Sequence, residues 1–107
     1  MELSERWIQT FEDEGFDSVY EWQDPAGTVY EEHTHKGKVS IFVTDGSIAF
    51  DFAGVKKEVG TNQRFDVPVG VPHSAIVGSE GWIAIIAEEI ENDSDSPISG
   101  FEYPPLI

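Results

Sequence analysis

Apolar and polar residues alternate along most of this chain, and a period of two predicts β-strands. The clearest example begins at Val39, where Val39, Ile41 and Val43 share one face and Ser40 and Phe42 share the other. We predict strands at residues 16–22, 29–35, 39–44, 48–52, 55–59, 64–67, 73–77 and 82–89. Turn-forming residues separate several of them, at 24–27, 45–46, 54 and 79–81. The pattern therefore predicts a protein built mainly of short strands.

The first residues show helical spacing instead. Four apolar residues recur at intervals of one, three and four: Leu3, Trp7, Ile8 and Phe11. Ser4 is the predicted N-cap of this short helix, and Gly15 is its predicted end. We expect the helix to cover one side of the β-structure or to pack on a partner subunit.

About eight strands and one helix in 107 residues predict a single all-β domain, either a sandwich or a barrel. We place the barrel at about residues 16–90 of the single domain 1–107. We predict that residues 91–97 form an acidic linker and that residues 98–107, which are more apolar, dock on the barrel or on a neighbouring subunit. The two apolar ends of the chain, 7–11 and 98–107, lead us to expect a homodimer.

Charge and composition narrow the classes of function. Twenty-one acidic residues against six basic ones give a net charge of −15, which repels nucleic acid and anionic lipid surfaces. The excess indicates either a well-solvated surface or adaptation to high salt. There is no cysteine, which excludes disulfides and thiolate chemistry. No apolar run approaches the ~20 residues of a membrane span, so we expect a cytoplasmic protein without membrane contact.

The chain has three histidines, and all of them lie beside strands and turns. His33 and His35 are two residues apart in an extended segment, a spacing that turns both imidazoles to one face of a strand. His73 follows the turn-forming sequence Pro68-Val69-Gly70-Val71-Pro72 and opens an apolar strand. Imidazoles inside a small barrel need hydrogen bonds or a metal, so His33, His35 and His73 are candidate metal ligands.

These segments carry a resemblance to a known family. The stretch from Gly27 through His33-Thr34-His35 to Gly46 resembles the first motif of the cupin superfamily, and residues 68–73 resemble the second. The resemblance implies a small jelly-roll barrel, a double-stranded β-helix, in which the three histidines bind one divalent metal. Val39 and Val77 stand where the family has glutamate and asparagine, and Asn62 stands where the second motif begins with glycine.

A centre of three neutral histidines keeps the full +2 charge of the ion, which favours an anionic or oxygen-rich ligand. It also leaves coordination positions open, as catalytic sites do. The resemblance to glutamate-less cupins favours iron, although nickel, manganese, zinc and copper suit imidazole as well. Glu31, which has the strand parity of His33, and Gln63 are candidates for a further ligand, and Glu31 is the candidate base.

Two classes of function follow. The first is a metal-dependent enzyme of the oxygenase, lyase or isomerase type that acts on a small oxygenated or anionic molecule. The second is a small-molecule binding or sensing barrel that performs no chemistry, with or without metal. A purely structural dimer module is a third possibility if Val39, Ile41 and Val77 fill the interior.

Overall fold

The computed structural model describes residues 2–89, which form one helix and six antiparallel strands. The elements are α1 (Leu3–Asp13), β1 (Ser18–Asp24), β2 (Val29–His33), β3 (Val39–Phe52), β4 (Val55–Gly60), β5 (Arg64–Val67) and β6 (His73–Glu88). The mostly antiparallel β-structure with one N-terminal helix confirms the predicted fold class. The predicted acidic linker at 91–97 and the docking segment at 98–107 lie outside the described residues.

Two long strands, β3 and β6, pair with each other over most of their length and run through both halves of the barrel. Their first and last halves lie in different four-stranded layers. One layer has the order β1, β6, β3, β5, and the other has the order β2, β6, β3, β4. The shorter strands all lie at the edges of these layers.

Both long strands bend at a glycine, and here the sequence-based prediction of two turns is wrong. Gly46 and Gly81 both have φ of 75°, and an ideal Cβ at Gly46 would lie 1.9 Å from the carbonyl oxygen of Gly81. The register shifts on both sides of Gly46, while pairing continues through Gly46 and Trp82. Glycine in the left-handed region suits a β-bulge as well as a turn, so the sequence signal is the same for both.

Helix α1 covers the outer face of one layer rather than the barrel interior. Phe11 is fully buried against Phe42 and Ile85, and the Trp7 ring stacks on Phe42 at a centroid distance of 4.2 Å. The apolar side of the helix thus packs on its own chain, which removes the N-terminal half of the argument for a homodimer. The homodimer itself remains a prediction.

The ends of α1 match the sequence only in part. Glu2 is the N-cap and makes no side-chain capping bond, so the prediction of Ser4 as the cap is wrong. Gly15, with φ of 95°, ends the helix as predicted. The N–H groups of Gly15 and Phe16 donate to the carbonyls of Glu12 and Phe11, which is the pattern of a Schellman motif.

Apolar side chains on the inward faces of both layers form one cluster in the barrel interior. Val39, Ile41 and Val43 point into it, as their alternation with Ser40 and Phe42 predicts.

Among the described residues, no helix is long and apolar enough to cross a membrane.

One carboxylate ties three strands together at a polar point within this apolar cluster. Asp24, the last residue of β1, accepts hydrogen bonds from the indole N–H of Trp22 at 3.1 Å and of Trp82 at 2.8 Å, and from the hydroxyl of Tyr30. Trp82 and Tyr30 are buried, and burial together with the Asp24 contact raises the pKa of Tyr30. The Asp24 carboxylate therefore satisfies donors that would otherwise be buried without partners.

An ion-pair network fastens α1 to β5. The Arg64 guanidinium donates to both carboxylate oxygens of Glu14, at 2.6 and 2.7 Å, and to Asp66 at 2.9 Å. Ser40 also donates to Asp66, at 2.7 Å. The Arg64 hydrogen bond lowers the pKa of the Glu14 carboxyl, and bonds from Ser40 and Arg64 lower the pKa of Asp66 against the opposing effect of burial.

This network predicts acid-sensitive stability. A carboxyl with a lowered pKa in the folded state stabilises that state above its unfolded pKa and stops doing so as the pH falls through the folded value. Glu14→Gln is expected to lower the free energy of unfolding by no more than about 1 kcal/mol at pH 7, because the pair is partly exposed. The difference from the parent should vanish well below the usual Glu pKa of 4.5.

Urea unfolding at pH 7 and at about pH 2.5 measures this difference, with Glu12→Gln as the matched control at an exposed helical position. An equal cost of Glu14→Gln at both pH values would contradict the assignment to the ion pair.

Candidate metal centre

The two sequence motifs meet at the end of the barrel where β2 ends and β6 begins. His33 is the last residue of β2 and His73 the first of β6, and the two lie directly opposite each other in the register. His35 lies two residues beyond β2, so the prediction that it shares a strand with His33 is wrong. Its backbone carbonyl accepts a hydrogen bond from Gly70 N–H at 3.0 Å, which joins the first motif to the second.

The three imidazoles form one cluster. Their ring centroids are 4.7 Å (His33–His73), 5.0 Å (His35–His73) and 5.9 Å (His33–His35) apart. One ring nitrogen from each lies within 4.8 Å of the others. His35 and His73 are buried, and His33 is half-buried. The structure thus brings together all three histidines predicted from the sequence.

Backbone carbonyls orient every ring of the cluster in the same way. Each Nδ1 faces the carbonyl of a residue two positions away. The pairs are His33 with Glu31 at 2.6 Å, His35 with Gly37 at 3.3 Å and His73 with Val71 at 2.8 Å. A carbonyl only accepts hydrogen bonds, so Nδ1 is the donor in each of these pairs. This is the usual outer arrangement of metal-binding histidines.

The residues present fit a divalent transition-metal ion. The Nε2 atom of His33 is buried and has no hydrogen-bond partner among the described residues, an arrangement that costs about 1–3 kcal/mol when nothing binds. Three equally spaced nitrogens bound to one ion at 2.0–2.1 Å are at most about 3.6 Å apart. The ring nitrogens, which lie within 4.8 Å of one another, would therefore have to move closer together to bind one ion.

The side chain of Glu31 does not point to the histidine cluster, although its position two residues before His33 in the strand predicted that it would. A register shift between Tyr30 and His33 places an extra residue in β2, so both Tyr30 and His33 face inward while the side chain of Glu31 is exposed. A one-residue bulge reverses the faces of all residues beyond it. Glu31 contributes only its backbone carbonyl, and the prediction of its carboxylate as a ligand or base is wrong.

The other proposed ligand is engaged elsewhere. The side-chain oxygen of Gln63 accepts a hydrogen bond from Gly60 N–H at 2.8 Å and closes the exposed turn between β4 and β5. Val39 and Val77, at the positions of the family's glutamate and asparagine, are buried in the apolar core. Within residues 2–89, the group that could hold a metal consists of the three histidines.

An aromatic wall borders the cluster, and the sequence analysis missed its role. Phe52 and Phe50 of β3 lie 5.3 and 6.0 Å from His73 between ring centroids, and Phe65 of β5 lies 5.1 Å from Phe50. The alternation of Phe50 and Phe52 predicted one shared face, but Phe65 belongs to the other layer and approaches them only because the two layers face each other, which no local pattern reveals.

Two surface clefts lie away from the histidine cluster. One, of about 400 Å³, has Glu14 and Glu89 in its lining, and the other, of about 550 Å³, has Asp24 and Gly81. Neither has a histidine in its lining. We place the candidate site at the histidines because their donor atoms, and not the size of a depression, carry metal chemistry.

Comparisons with known proteins agree with the architecture. No family model and no curated protein sequence matches the chain. Among solved structures, an RmlC-like cupin from Shewanella frigidimarina matches with a TM-score of 0.58 and 23% identity, covering 69% of this chain and 67% of that one.

Two further solved structures of similar fold are those of enzymes. The DMSP lyase DddQ from Ruegeria pomeroyi has a TM-score of 0.60 and 22% identity, with 71% of this chain and 39% of that one covered. Bacillus subtilis oxalate decarboxylase, described with Mn(II) centres, has a TM-score of 0.58 and 25% identity, with 71% and 22% covered. Likeness at these identities shows the fold, and together with the strand order and the two meeting motifs it establishes that this chain has the cupin fold.

Proposed function

We propose that this chain is a metal-dependent enzyme that binds one divalent transition-metal ion through His33, His35 and His73. The observation that carries the proposal is the convergence of the three rings: one ring nitrogen of each lies within 4.8 Å of the others, and each Nδ1 faces a backbone carbonyl. The buried Nε2 of His33, which has no hydrogen-bond partner among the described residues, supports it.

The substrate class follows from the charge of the site. Three neutral imidazoles add no negative charge, so the bound ion keeps a +2 charge and attracts a small anionic or oxygen-rich molecule. When bound, the ion supplies Lewis-acid polarisation of a substrate oxygen. His33, His35 and His73 would hold the ion, and the rings of Phe50 and Phe52 lie beside His73 as apolar neighbours of the site.

The reaction type is of the oxygenase, lyase or isomerase class. Its support is that solved structures of similar fold include a lyase and a decarboxylase with Mn(II) centres. Iron is our favoured ion, and nickel, manganese, zinc and copper remain candidates, because imidazole ligands alone do not select among them.

Metal binding tests this proposal directly. Protein purified without affinity metal and titrated with iron(II), cobalt(II) or zinc is expected to bind about one ion per chain. Loss of a partner outside the ligand shell already costs 10–100-fold in affinity, so His33→Ala and His73→Ala should each weaken binding by about a hundredfold or more. Calorimetric titration with elemental analysis measures both quantities.

Thr34→Ala is the matched control, since Thr34 is exposed and lies between the two histidines of the first motif. It should bind metal as the parent does. Equal metal affinity in the parent and in both histidine variants would refute the three-histidine centre.

A second candidate is a small-molecule binding or sensing barrel without chemistry. Val39 and Val77 are buried in the core and the Glu31 side chain is exposed, so no carboxylate of the described residues joins the cluster as a base. This reading expects a ligand to raise the melting temperature without being converted. Mass-spectrometric detection of a product formed by the parent and not by His73→Ala would exclude it.

A further inference from the structure

Three phenylalanines form a continuous wall on one side of the histidine cluster. The rings of Phe50 and Phe52 stack at 5.9 Å with an interplanar angle of 20°. Phe65 lies 5.1 Å from Phe50 and 6.0 Å from Phe52, so every pair in this aromatic wall is in contact range. The wall joins the two layers of the barrel, because Phe65 pairs opposite Ile41 in one layer while Phe50 and Phe52 pair with β4 in the other.

The wall reaches the histidines and is only partly covered. Phe52 and Phe50 lie beside the His73 ring, at 5.3 and 6.0 Å. Phe50 is fully buried, whereas Phe52 and Phe65 are half-buried even though both pack against the core. Phe52, which lies beside the His73 ring, thus keeps part of its apolar surface accessible, as a side chain that lines a ligand site does.

A ligand held by its oxygen atoms at the cluster must place its remaining atoms against the neighbouring side chains. Along this wall those side chains are rings without hydrogen-bonding groups, so a hydroxylated or charged tail would lose its bonds to water there. An aryl or bulky alkyl group would instead remove apolar surface from water on both sides and could pack face or edge against the rings.

We propose that Phe52 and Phe65 determine substrate specificity, and that the substrate is a small oxygen-chelating acid with an aromatic or bulky apolar substituent. This inference rests on the proposed metal centre, because the metal sets the position from which the substituent extends. It goes further than that proposal by dividing the anionic molecules that a +2 site attracts into those that the wall accepts and those that it does not.

The test compares two acids that differ only in the phenyl group. Parent protein loaded with cobalt(II), its metal content measured first, is titrated calorimetrically with phenylpyruvate and with pyruvate. We expect phenylpyruvate to bind at least tenfold more tightly. In Phe52→Leu and Phe65→Leu the preference should fall to about threefold or less, while the affinity for pyruvate and the cobalt content stay unchanged.

Phe16→Leu is the matched control. Phe16 is also half-buried, but it packs on Phe11 beneath α1 and not on the wall. It should keep the full preference for phenylpyruvate. Leucine retains most of the apolar volume at each position, and an unchanged cobalt content shows that each variant is folded.

The outcomes separate the two proposals. A parent that takes up no cobalt contradicts the metal centre, and the specificity inference with it. A parent that binds cobalt but binds both acids equally contradicts the specificity inference alone. A preference that survives in both wall variants would also overturn the role of Phe52 and Phe65.

Discussion

Gly46→Ala is expected to cost about 3–5 kcal/mol of folding free energy, a large part of the stability of a small domain. Two effects add. Alanine at φ of 75° is strained by about 1–2 kcal/mol. Its Cβ would also lie 1.9 Å from the carbonyl oxygen of Gly81 and 2.9 Å from Cα of Trp82, and these are backbone atoms of the paired strand that cannot rotate away.

Gly27→Ala separates the two effects. Gly27 has nearly the same φ, 78°, but an added Cβ there meets nothing within 4 Å. It should therefore show the strain alone, about 1–2 kcal/mol. Urea unfolding followed by circular dichroism measures both variants. Equal costs at the two glycines would show that the close approach of the bent strands is unimportant.

Asp24→Ala is the second change with a large expected effect, about 3–5 kcal/mol. It leaves the indole N–H groups of Trp22 and Trp82 and the hydroxyl of Tyr30 without their acceptor. A buried unsatisfied donor costs about 1–3 kcal/mol, and the Trp82 and Tyr30 side chains are both buried. The free energy of unfolding in urea at pH 7 measures the loss.

Two comparison variants give this prediction its specificity. Asp24→Asn keeps one acceptor oxygen and should cost less than Asp24→Ala. Asp45→Ala removes an exposed carboxylate from the same surface cleft and should change the stability by no more than about 0.5 kcal/mol. Similar costs for Asp24→Ala and Asp45→Ala would mean that the three donors do not depend on Asp24.

Much of the site followed from the sequence because its determinants are local. The turn-forming residues before His73 and the spacing of His33 and His35 each act within a few residues, and the cupin resemblance supplied their convergence. The alternation around Val39 likewise identified the inward face of β3, since a period of two is a property of a single strand.

What the sequence did not reveal depends on pairing between distant strands. The bulge that turns Glu31 outward exists only relative to β6, and a parity count on β2 alone cannot detect it. Gly46 has the local chemistry of a turn, but it lies within a strand that stays paired with β6 opposite Trp82. The hydrogen bond from Trp82 to Asp24 joins residues 58 positions apart, so the sequence alone did not reveal that Asp24 accepts hydrogen bonds from buried donors of the core.

The continuous pairing of β3 with β6 has a consequence for how the chain folds. Both layers of the barrel contain these two strands, and the short strands only extend what they form together. Neither layer is therefore an independent folding unit, because removal of one long strand would take away the central strand pairing of both layers. Pairing of β3 with β6 has to close the chain between residues 52 and 73, and such non-local pairing favours folding slower than that of a helical protein of equal length.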